Sequence, residues 1–330
     1  MIEGIDVPKV SAWFEGNIPG AALPLTFDLI AGGRSNLTYK VTDSAGHTYV
    51  LRRPPMSHVL PTAHDMGREY RIIAALGPVG IPVAPALGYC PDEAVNTRPF
   101  YVMGYVDGHI LRDTRAAEAV SEAARTKAGQ SLIDVMADLH AVDVDAVGLG
   151  DLARKEGYIA RQLKRWYGQY EQSKAMGGPD EPLVDEVHDT LAGQIPEQGP
   201  AAIVHGDYRL DNTVIGDDGT VRAVLDWEIC TLGDPLADLG LLMVYWTEPG
   251  DTTPALMVAP TALPGFLSRA ELRERYSERS GRDISDLDFY VAFGYWKLAC
   301  IVEGVYARYA GGAGGGDSSD YRGFADQVRT

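Results

Sequence analysis

HGDYRLDN, residues 205–212, places a histidine, two aspartates and an asparagine in eight positions. The runs before and after it, AAIV and TVIG, are apolar and rich in β-branched residues, as strands are. An Asp-Asp-Gly turn at 217–219, followed by a second apolar run, indicates a β-hairpin. Asn212 would start one arm and Asp226 would end the other. We therefore expect both side chains at the open end of this hairpin.

The chemistry of these side chains indicates a site for a cation and phosphates. Mg²⁺ prefers carboxylate and amide oxygens, and it completes its shell with water and substrate phosphates. Asp207 adds a carboxylate that can serve as a base in the same stretch. The alternative is a turn rich in Asp and Asn that satisfies only its own backbone.

Composition limits the classes of partner and of compartment. The chain has 330 residues and a net charge of −17, which argues against a nucleic-acid partner or an anionic membrane. The three cysteines form no C-x-x-C pair, so the sequence does not indicate a zinc site. Their small and odd number is typical of a protein in a reducing compartment. The N-terminus lacks a signal-peptide pattern, and the apolar runs are too short to span a bilayer. We expect a soluble cytoplasmic protein.

The pattern along the chain divides it into two parts. Residues 1–103 are rich in strand patterns with one helix, which ends at Gly77-Pro78. Residues 104–330 are mostly helical, including one long helix predicted over 115–143, around a short β segment. A flexible Gly/Ser linker is predicted at 310–319. The sequence thus predicts an α+β protein with a small β-rich lobe and a larger helical lobe.

The H-G-D-x-x-x-x-N spacing resembles the catalytic loop of protein kinases, H-R-D-x-x-x-x-N, which precedes a metal-binding aspartate. It is more similar to the aminoglycoside phosphotransferase and choline-kinase-like family, which keeps H-G-D and an IDWE-like segment. LDWEICTLGDPLADLG, residues 225–240, resembles that segment and the residues after it. Kinase-like domains associated with acyl-CoA dehydrogenases are the nearest resemblance. It implies a bilobal protein-kinase-like fold with a catalytic loop within 202–240.

The resemblance implies roles for individual residues of the loop. Asp207 would orient the acceptor hydroxyl and take its proton, while Asn212 and Asp226 would hold Mg²⁺ against the phosphates of ATP. We expect the remaining polar residues of this region to be structural, with His205 bracing the loop, and Asp234 and Asp238 capping a helix start and pairing with loop backbone.

In the small lobe, the resemblance implies a loop that covers the nucleotide phosphates. GGRSN lies between two strand patterns, where such a loop belongs, although a plain hairpin turn is the alternative. Glycine permits close backbone approach, and the polar side chains can donate to phosphate oxygens. The predicted contacts are Gly32, Gly33, Arg34, Ser35 and Asn36.

The third strand departs from the kinase pattern, because TYVLRR carries Arg52 where kinases carry a lysine. An arginine keeps the charge and can grip phosphate through two hydrogen bonds, but its shape differs. Its expected partner is Glu69 on the helix that follows. FYVMGYV resembles the hinge between the lobes, so Met103 and Tyr105 are expected at the adenine.

A basic and aromatic helix in 153–171 is the candidate acceptor wall. Its predicted contacts are Tyr158, Arg161, Arg165 and Trp166. Such a wall suits an anionic or acyl acceptor, while a solvated basic face with the tryptophan in the core is the alternative. The resemblance implies a hydroxy acid or hydroxyacyl-CoA as acceptor and a functional link to an acyl-CoA dehydrogenase.

The sequence therefore predicts a phosphotransferase that uses ATP and Mg²⁺ to phosphorylate a hydroxyl of a small molecule. No G-x-x-x-x-G-K-[ST] motif occurs, which excludes a P-loop kinase. Two alternatives stay open. One is a pseudokinase that binds nucleotide or acyl-CoA, favoured by Arg52 in the lysine position. The other is an aminoglycoside kinase, favoured by the acidic charge.

Overall fold

The computed structural model describes residues 2–31, 36–56, 64–176, 180–251 and 260–310. Its N-terminal part is an antiparallel five-stranded sheet in the order β1-β2-β3-β5-β4. The strands are β1 (Thr26–Ala31), β2 (Leu37–Thr42), β3 (Thr48–Arg53), β4 (Ala86–Cys90) and β5 (Phe100–Gly104).

The two faces of this sheet have different partners, because side chains alternate along each strand. On one face Leu51 and Val102 pack against the buried side chains of helix α1 (Val7–Asn17). On the other face Arg52 pairs in register with Tyr101, and both line a cavity. Because side chains alternate along the strand, Arg52 lies on the face opposite the core that Leu51 and Val102 form with α1.

Helix α2 (Met66–Leu76) begins after Asp65, whose side chain accepts a hydrogen bond from the backbone N–H of Arg68. It ends at Gly77, as the sequence predicts. The guanidinium of Arg68 donates to the carbonyl oxygens of Leu152 (3.0 Å) and Cys230 (2.6 Å). Helix α2 therefore belongs to the sheet region by sequence but is fastened to the helical part of the chain.

A short helix α3 (Glu93–Asn96) joins β4 to β5. The C-terminal part contains the helices α4 (Thr114–Glu118), α5 (Glu122–Ala141), α6 (Tyr158–Ala175), α7 (Pro182–Gly193), α8 (Leu236–Tyr245), α9 (Arg269–Ser280) and α10 (Leu287–Ala310). Two small antiparallel sheets lie among them, β6 (Ala202–Val204) with β9 (Thr231–Gly233), and β7 (Thr213–Ile215) with β8 (Val221–Val224). This arrangement confirms the predicted α+β class, with a small sheet and a larger helical part.

Three details differ from the prediction. The long helix predicted over 115–143 is two helices, because Ser121 adopts an extended conformation and caps α5 through the N–H of Ala124. Helix α1 was not predicted. The two apolar runs that flank HGDYRLDN belong to different sheets, so the loop connects two ladders.

The predicted linker at 310–319 lies outside the described residues, apart from Ala310, which ends α10. The predicted boundary between residues 103 and 104 lies at the end of β5, and the division into two domains stays a prediction. No helix within the described ranges combines the length and the apolar character that crossing a bilayer requires.

Candidate active site

The β7–β8 hairpin brings Asn212 and Asp226 together as the sequence predicts. The N–H of Leu225 donates to the carbonyl oxygen of Asn212 at 2.8 Å, just beyond the last ladder pair. Gly219 closes the turn at the other end with φ +85°, a conformation that glycine adopts freely. Asp226 itself has φ +60°, which is uncommon for a residue with a Cβ. The hairpin therefore places an amide and a carboxylate at one open end.

A buried carboxylate holds the start of the catalytic loop. Asp238 of α8 accepts hydrogen bonds from the backbone N–H groups of His205 (2.6 Å) and Gly206 (2.8 Å), and His140 lies 3.4 Å away. Burial alone would raise the pKa of Asp238, but the hydrogen bonds and the two histidines lower it by more. The pKa of this carboxyl is therefore below its usual range. The structural role predicted for this aspartate agrees with these contacts.

His205 is braced on both ring nitrogens. Its Nε2 lies 2.8 Å from the carbonyl oxygen of Leu225, and its Nδ1 accepts from the N–H of Asp207 at 3.3 Å. These contacts require the hydrogen on Nε2, and the ring is fully buried. The histidine thus ties the loop to the end of β8. Asp234 accepts from the N–H of Leu236 at the start of α8, as expected of a cap.

The Asp207 carboxylate faces three side chains. Asn212 Nδ2 donates to its Oδ2 at 2.8 Å, and Arg209 Nε lies 3.2 Å from its Oδ1. The hydroxyl of Tyr245 hydrogen-bonds the same carboxylate, and burial together with Asp207 raises the tyrosine pKa. With 26% of its side chain exposed, Asp207 is held in place yet reachable from solvent.

Arg52 contacts Glu69, its expected partner. Its Nε lies 2.9 Å from Glu69 Oε2, and its Nη2 lies 2.5 Å from Asp226 Oδ1. Tyr101 and Asn36 donate to the two Glu69 oxygens at 3.0 and 3.1 Å. Burial raises the pKa of Glu69 to about 7, against the lowering effect of Arg52.

A cavity of ≈ 390 Å³ opens beside these residues. Its walls come from the cavity-facing side of the sheet, from the segment after β5 and from the β7–β8 hairpin. Of the predicted site residues, the structure brings to this cavity Arg52, Met103, Tyr105, Asn212 and Asp226. The loop residues Gly32, Gly33, Arg34 and Ser35 lie outside the described residues.

The predicted acceptor residues have different surroundings. Tyr158 is buried, and its ring lies against Gly233. Arg161 turns back to the carbonyl oxygens of Glu156 and Arg154. Arg165 and Trp166 form a cation–π pair with the guanidinium carbon 5.3 Å from the ring centroid. The buried Tyr158 therefore does not belong to an exposed face of α6.

Sequence reasoning missed Arg209, Tyr245 and Lys297. Arg209 lies within HGDYRLDN, so its position two residues after Asp207 was a usable signal. Tyr245 ends α8, and Lys297 is far along the chain in α10, where its ammonium donates to the carbonyl oxygen of Gly206 at 2.9 Å. No local pattern marks these two residues, since the folded chain alone brings them to the loop.

The oxygen donors present fit Mg²⁺. Because Asn212 commits its Nδ2 to Asp207, its Oδ1 is the amide atom left for a cation, and Asp226 supplies a carboxylate in the same cavity. Two protein oxygens suffice for Mg²⁺ when phosphates and water complete the shell. No group of three or more histidine, cysteine or carboxylate side chains in the described ranges is arranged to hold a metal on its own.

A model of the phosphotransferase enzyme family (APH) matches residues 26–279, which is most of the chain. The chain belongs to this family. The match confirms the resemblance inferred from HGDYRLDN and from residues 225–240, and it extends that resemblance over both parts of the fold. Within this family the predicted protein-kinase-like arrangement of a small sheet and a larger helical part is also confirmed.

Individual relatives agree with the family assignment. The chain is 36% identical over 296 residues to a Gallus gallus protein named acyl-CoA dehydrogenase family member 11, covering 88% of this chain and 37% of that protein. It thus spans well under half the length of that relative. A solved protein from Ralstonia eutropha JMP134, classed by name with the aminoglycoside phosphotransferases, has 33% identity and a TM-score of 0.81, covering 98% and 97% of the two chains.

A more distant structure shows the same fold. Aminoglycoside 2'-phosphotransferase-IIIa, solved as its GDP complex, is 14% identical with a TM-score of 0.63, covering 98% of this chain and 97% of that chain. The shared fold therefore extends to proteins whose sequence identity with this chain is much lower than that of the two relatives above.

Proposed function

We propose that the chain transfers the γ-phosphoryl group of Mg·ATP to a hydroxyl of a small molecule. The observation that carries this proposal is the convergence of Asn212 and Asp226 at the cavity, with Asp207 hydrogen-bonded to Asn212 on the adjoining side. A donor bound in the cavity and an acceptor beside Asp207 would then meet at this junction. The family, whose description is that of phosphotransferases, supports the reaction class.

Each side chain has a role that its position supports. Asp207 would orient the acceptor hydroxyl and accept its proton, with Arg209 and Tyr245 holding the carboxylate. Asn212 and Asp226 would hold Mg²⁺, which would neutralise the negative charge of the phosphates. Arg52, fixed by Glu69, would add positive charge at the phosphates.

The nucleotide base would lie deeper in the cavity. Met103 and Tyr105 line it where the sheet passes into the helical part, and backbone groups there can meet the edge of adenine. The GDP complex of a fold relative supports the use of a nucleotide. The loop predicted to cover the phosphates remains part of this proposal for Gly32 to Ser35, whereas the Asn36 amide is buried and donates to Glu69 and Glu228.

For the acceptor we propose a hydroxy acid or a hydroxyacyl-CoA. Trp166 and the guanidinium of Arg165 form an aromatic and basic pair, and the same ring covers Lys297, whose ammonium contacts the catalytic loop. Such a surface suits an anionic acceptor better than a polycationic one. The names of the longer relatives support a functional link with an acyl-CoA dehydrogenase.

The test is transfer of labelled γ-phosphate from Mg·ATP to a panel of hydroxyacyl-CoAs, hydroxy acids, aminoglycosides and simple alcohols. Asp207→Asn serves as the blank, and Asp217→Asn, on the exposed hairpin turn, is the matched control. We expect one class to be labelled by the parent and the control but not by Asp207→Asn. Equal transfer by Asp207→Asn would contradict the assignment of this residue.

One observation favours a second candidate, a nucleotide-binding protein without turnover. Arg52 contacts Asp226, the carboxylate proposed to hold the metal, so a cation already occupies one of its oxygens. This reading predicts that ATP binds with no dependence on Mg²⁺ and that no acceptor in the panel is labelled. Magnesium-dependent binding together with transfer would exclude it.

A further inference from the structure

Lys297 is a buried cation that the proposed reaction does not yet use. It lies on α10 with 8% of its surface exposed, and its ammonium donates to the carbonyl oxygen of Gly206 at 2.9 Å. The Trp166 ring covers it, with 5.5 Å between the ammonium nitrogen and the ring centroid. No carboxylate among the described residues forms an ion pair with it. Burying an ammonium without a carboxylate in direct contact is costly, so a structural purpose alone is a poor account of it.

The atom that Lys297 contacts belongs to a glycine whose backbone N–H and carbonyl oxygen are both held by buried side chains. The Gly206 N–H is bound by the buried carboxylate of Asp238, and the Gly206 carbonyl by the buried ammonium of Lys297. Gly206 has φ +87°, and a Cβ there would come within 3.1 Å of Ile229. A glycine with this freedom needs external contacts to fix one orientation.

The peptide unit between Gly206 and Asp207 sets the position of the catalytic residue. The Gly206 carbonyl is bonded to the nitrogen of Asp207, and that nitrogen donates to His205. The plane between Gly206 and Asp207 is therefore fixed by Lys297 at its oxygen and by His205 at its hydrogen. Rotation of this plane would carry the Asp207 carboxylate away from Asn212 and Arg209.

We propose that Lys297 is a positioning residue that orients Asp207 through the Gly206 carbonyl. The inference rests on the proposed phosphoryl transfer. The N–H and the carbonyl oxygen of Gly206 are each hydrogen-bonded to an ionised side chain, and such bonds are stronger than neutral ones. The positive charge of Lys297 also faces the carboxylates of Asp207 and Asp238, which oppose the lowering of its pKa by burial.

The test compares Lys297→Met, which removes donor and charge, with Lys297→Gln, which keeps a donor. Lys127→Met, at an exposed lysine of α5, is the matched control. We expect Lys297→Met to lower kcat about 10- to 100-fold, as loss of a charge-assisted hydrogen bond predicts, with the KM for ATP changed less than about twofold. Lys297→Gln should recover part of kcat, and Lys127→Met should match the parent.

Hydrogen exchange supplies a readout that needs no turnover. Peptides covering 205–212 should exchange faster in Lys297→Met than in Lys127→Met, at matched thermal stability. A kcat and an exchange rate equal to those of the parent would overturn the proposal. If the parent itself transfers no phosphate, the proposed function fails, and unchanged exchange in Lys297→Met would then also reject the Gly206 contact.

Discussion

Asp207 and Asn212 depend on each other at the scale of single residues. The Asn212 amide donates both to the carbonyl oxygen and to the carboxylate of Asp207, each at 2.8 Å. This fixes which end of the amide points away from Asp207, so the oxygen of Asn212 is the atom offered to a cation. In the proposed function this one side chain would orient the base and complete the metal site.

Replacing Asp226 with Ala should weaken magnesium-dependent nucleotide binding. The change removes the one carboxylate among the proposed ligands and leaves Arg52 with Glu69 and Glu228 as its partners. We expect ATP affinity in saturating Mg²⁺ to fall at least about tenfold, while affinity in EDTA changes little. Titration calorimetry in both buffers measures this, with Asp217→Ala as the control. An unchanged magnesium dependence would remove Asp226 from the metal site.

Replacing Glu69 with Gln should flatten the dependence of stability on pH. The Glu69 pKa is raised by burial to about 7, whereas in the unfolded chain it is about 4.3. Between these values the folded state keeps a proton that the unfolded state releases, so stability falls as pH rises from about 4 to 7. Above about pH 7 the Glu69 carboxyl is ionised in both the folded and the unfolded state, so it causes no further loss of stability.

Urea unfolding midpoints from pH 4.5 to 8 provide the measurement. The parent should lose more stability over this range than Glu69→Gln, whose amide does not titrate. Glu93→Gln, at an exposed position of α3, should follow the parent. The same slope in parent and Glu69→Gln would mean that this carboxyl titrates alike in both states.

At the scale of elements, the β7–β8 hairpin is positioned by its turn as well as by its ladder. A Cβ on Gly219 would overlap the carbonyl oxygen of Ala124 and lie 2.8 Å from the Cβ of Lys127. The turn therefore packs directly on α5. Asn212 and Asp226 lie at the other end of the same hairpin. The contact of the turn with α5 therefore helps to position both side chains relative to the helices.

Gly219→Ala should accordingly cost more stability than Gly46→Ala. Both glycines have positive φ, +85° and +88°, so both changes carry about 1–2 kcal/mol of backbone strain. Nothing lies within 4 Å of a Cβ on Gly46, whereas Gly219→Ala adds about 1–3 kcal/mol of overpacking. Chemical denaturation of the two variants measures the difference. Equal losses would show that the turn moves off α5 without cost.

The elements that the sequence predicts well are those with a local signal. The hairpin is marked by its turn and by two short apolar runs, and α2 by its spacing and its Gly77 stop. At the break between α4 and α5, the hydroxyl oxygen of Ser121 accepts a hydrogen bond from the N–H of Ala124, and periodicity does not encode such a cap. Likewise β6 pairs with β9, almost 30 residues later, and not with the run beyond the loop.

The site divides in the same way. Asp207, Asn212 and Asp226, which lies two residues beyond β8, could be placed together from the sequence because they lie close along the chain and carry oxygen ligands. Tyr245 and Lys297 could not, since only the packing of α8 and α10 brings them to the loop. The helix pattern in 153–171 predicted an acceptor wall, and periodicity alone did not show that Tyr158 is buried.

At the scale of the whole molecule, Mg·ATP should stabilise the chain by mass action. At a free concentration one hundred times Kd, the gain is about 2.7 kcal/mol. The Asp207→Asn variant should gain as much as the parent, because Asp207 lies on the acceptor side of the junction. Thermal unfolding with and without Mg·ATP measures this, and ATP in EDTA is the control. A gain in the parent alone would place Asp207 among the nucleotide contacts.

The attachment of α2 to the helical part has a consequence for control of the protein. In protein kinases, activity is governed by moving the helix that carries the glutamate partner of the strand residue. Here Arg68 ties that helix to Leu152 and Cys230, one position before Glu69, so the ion pair with Arg52 is assembled without an activating event. The helix that carries Glu69 is therefore already in the position that the ion pair with Arg52 requires.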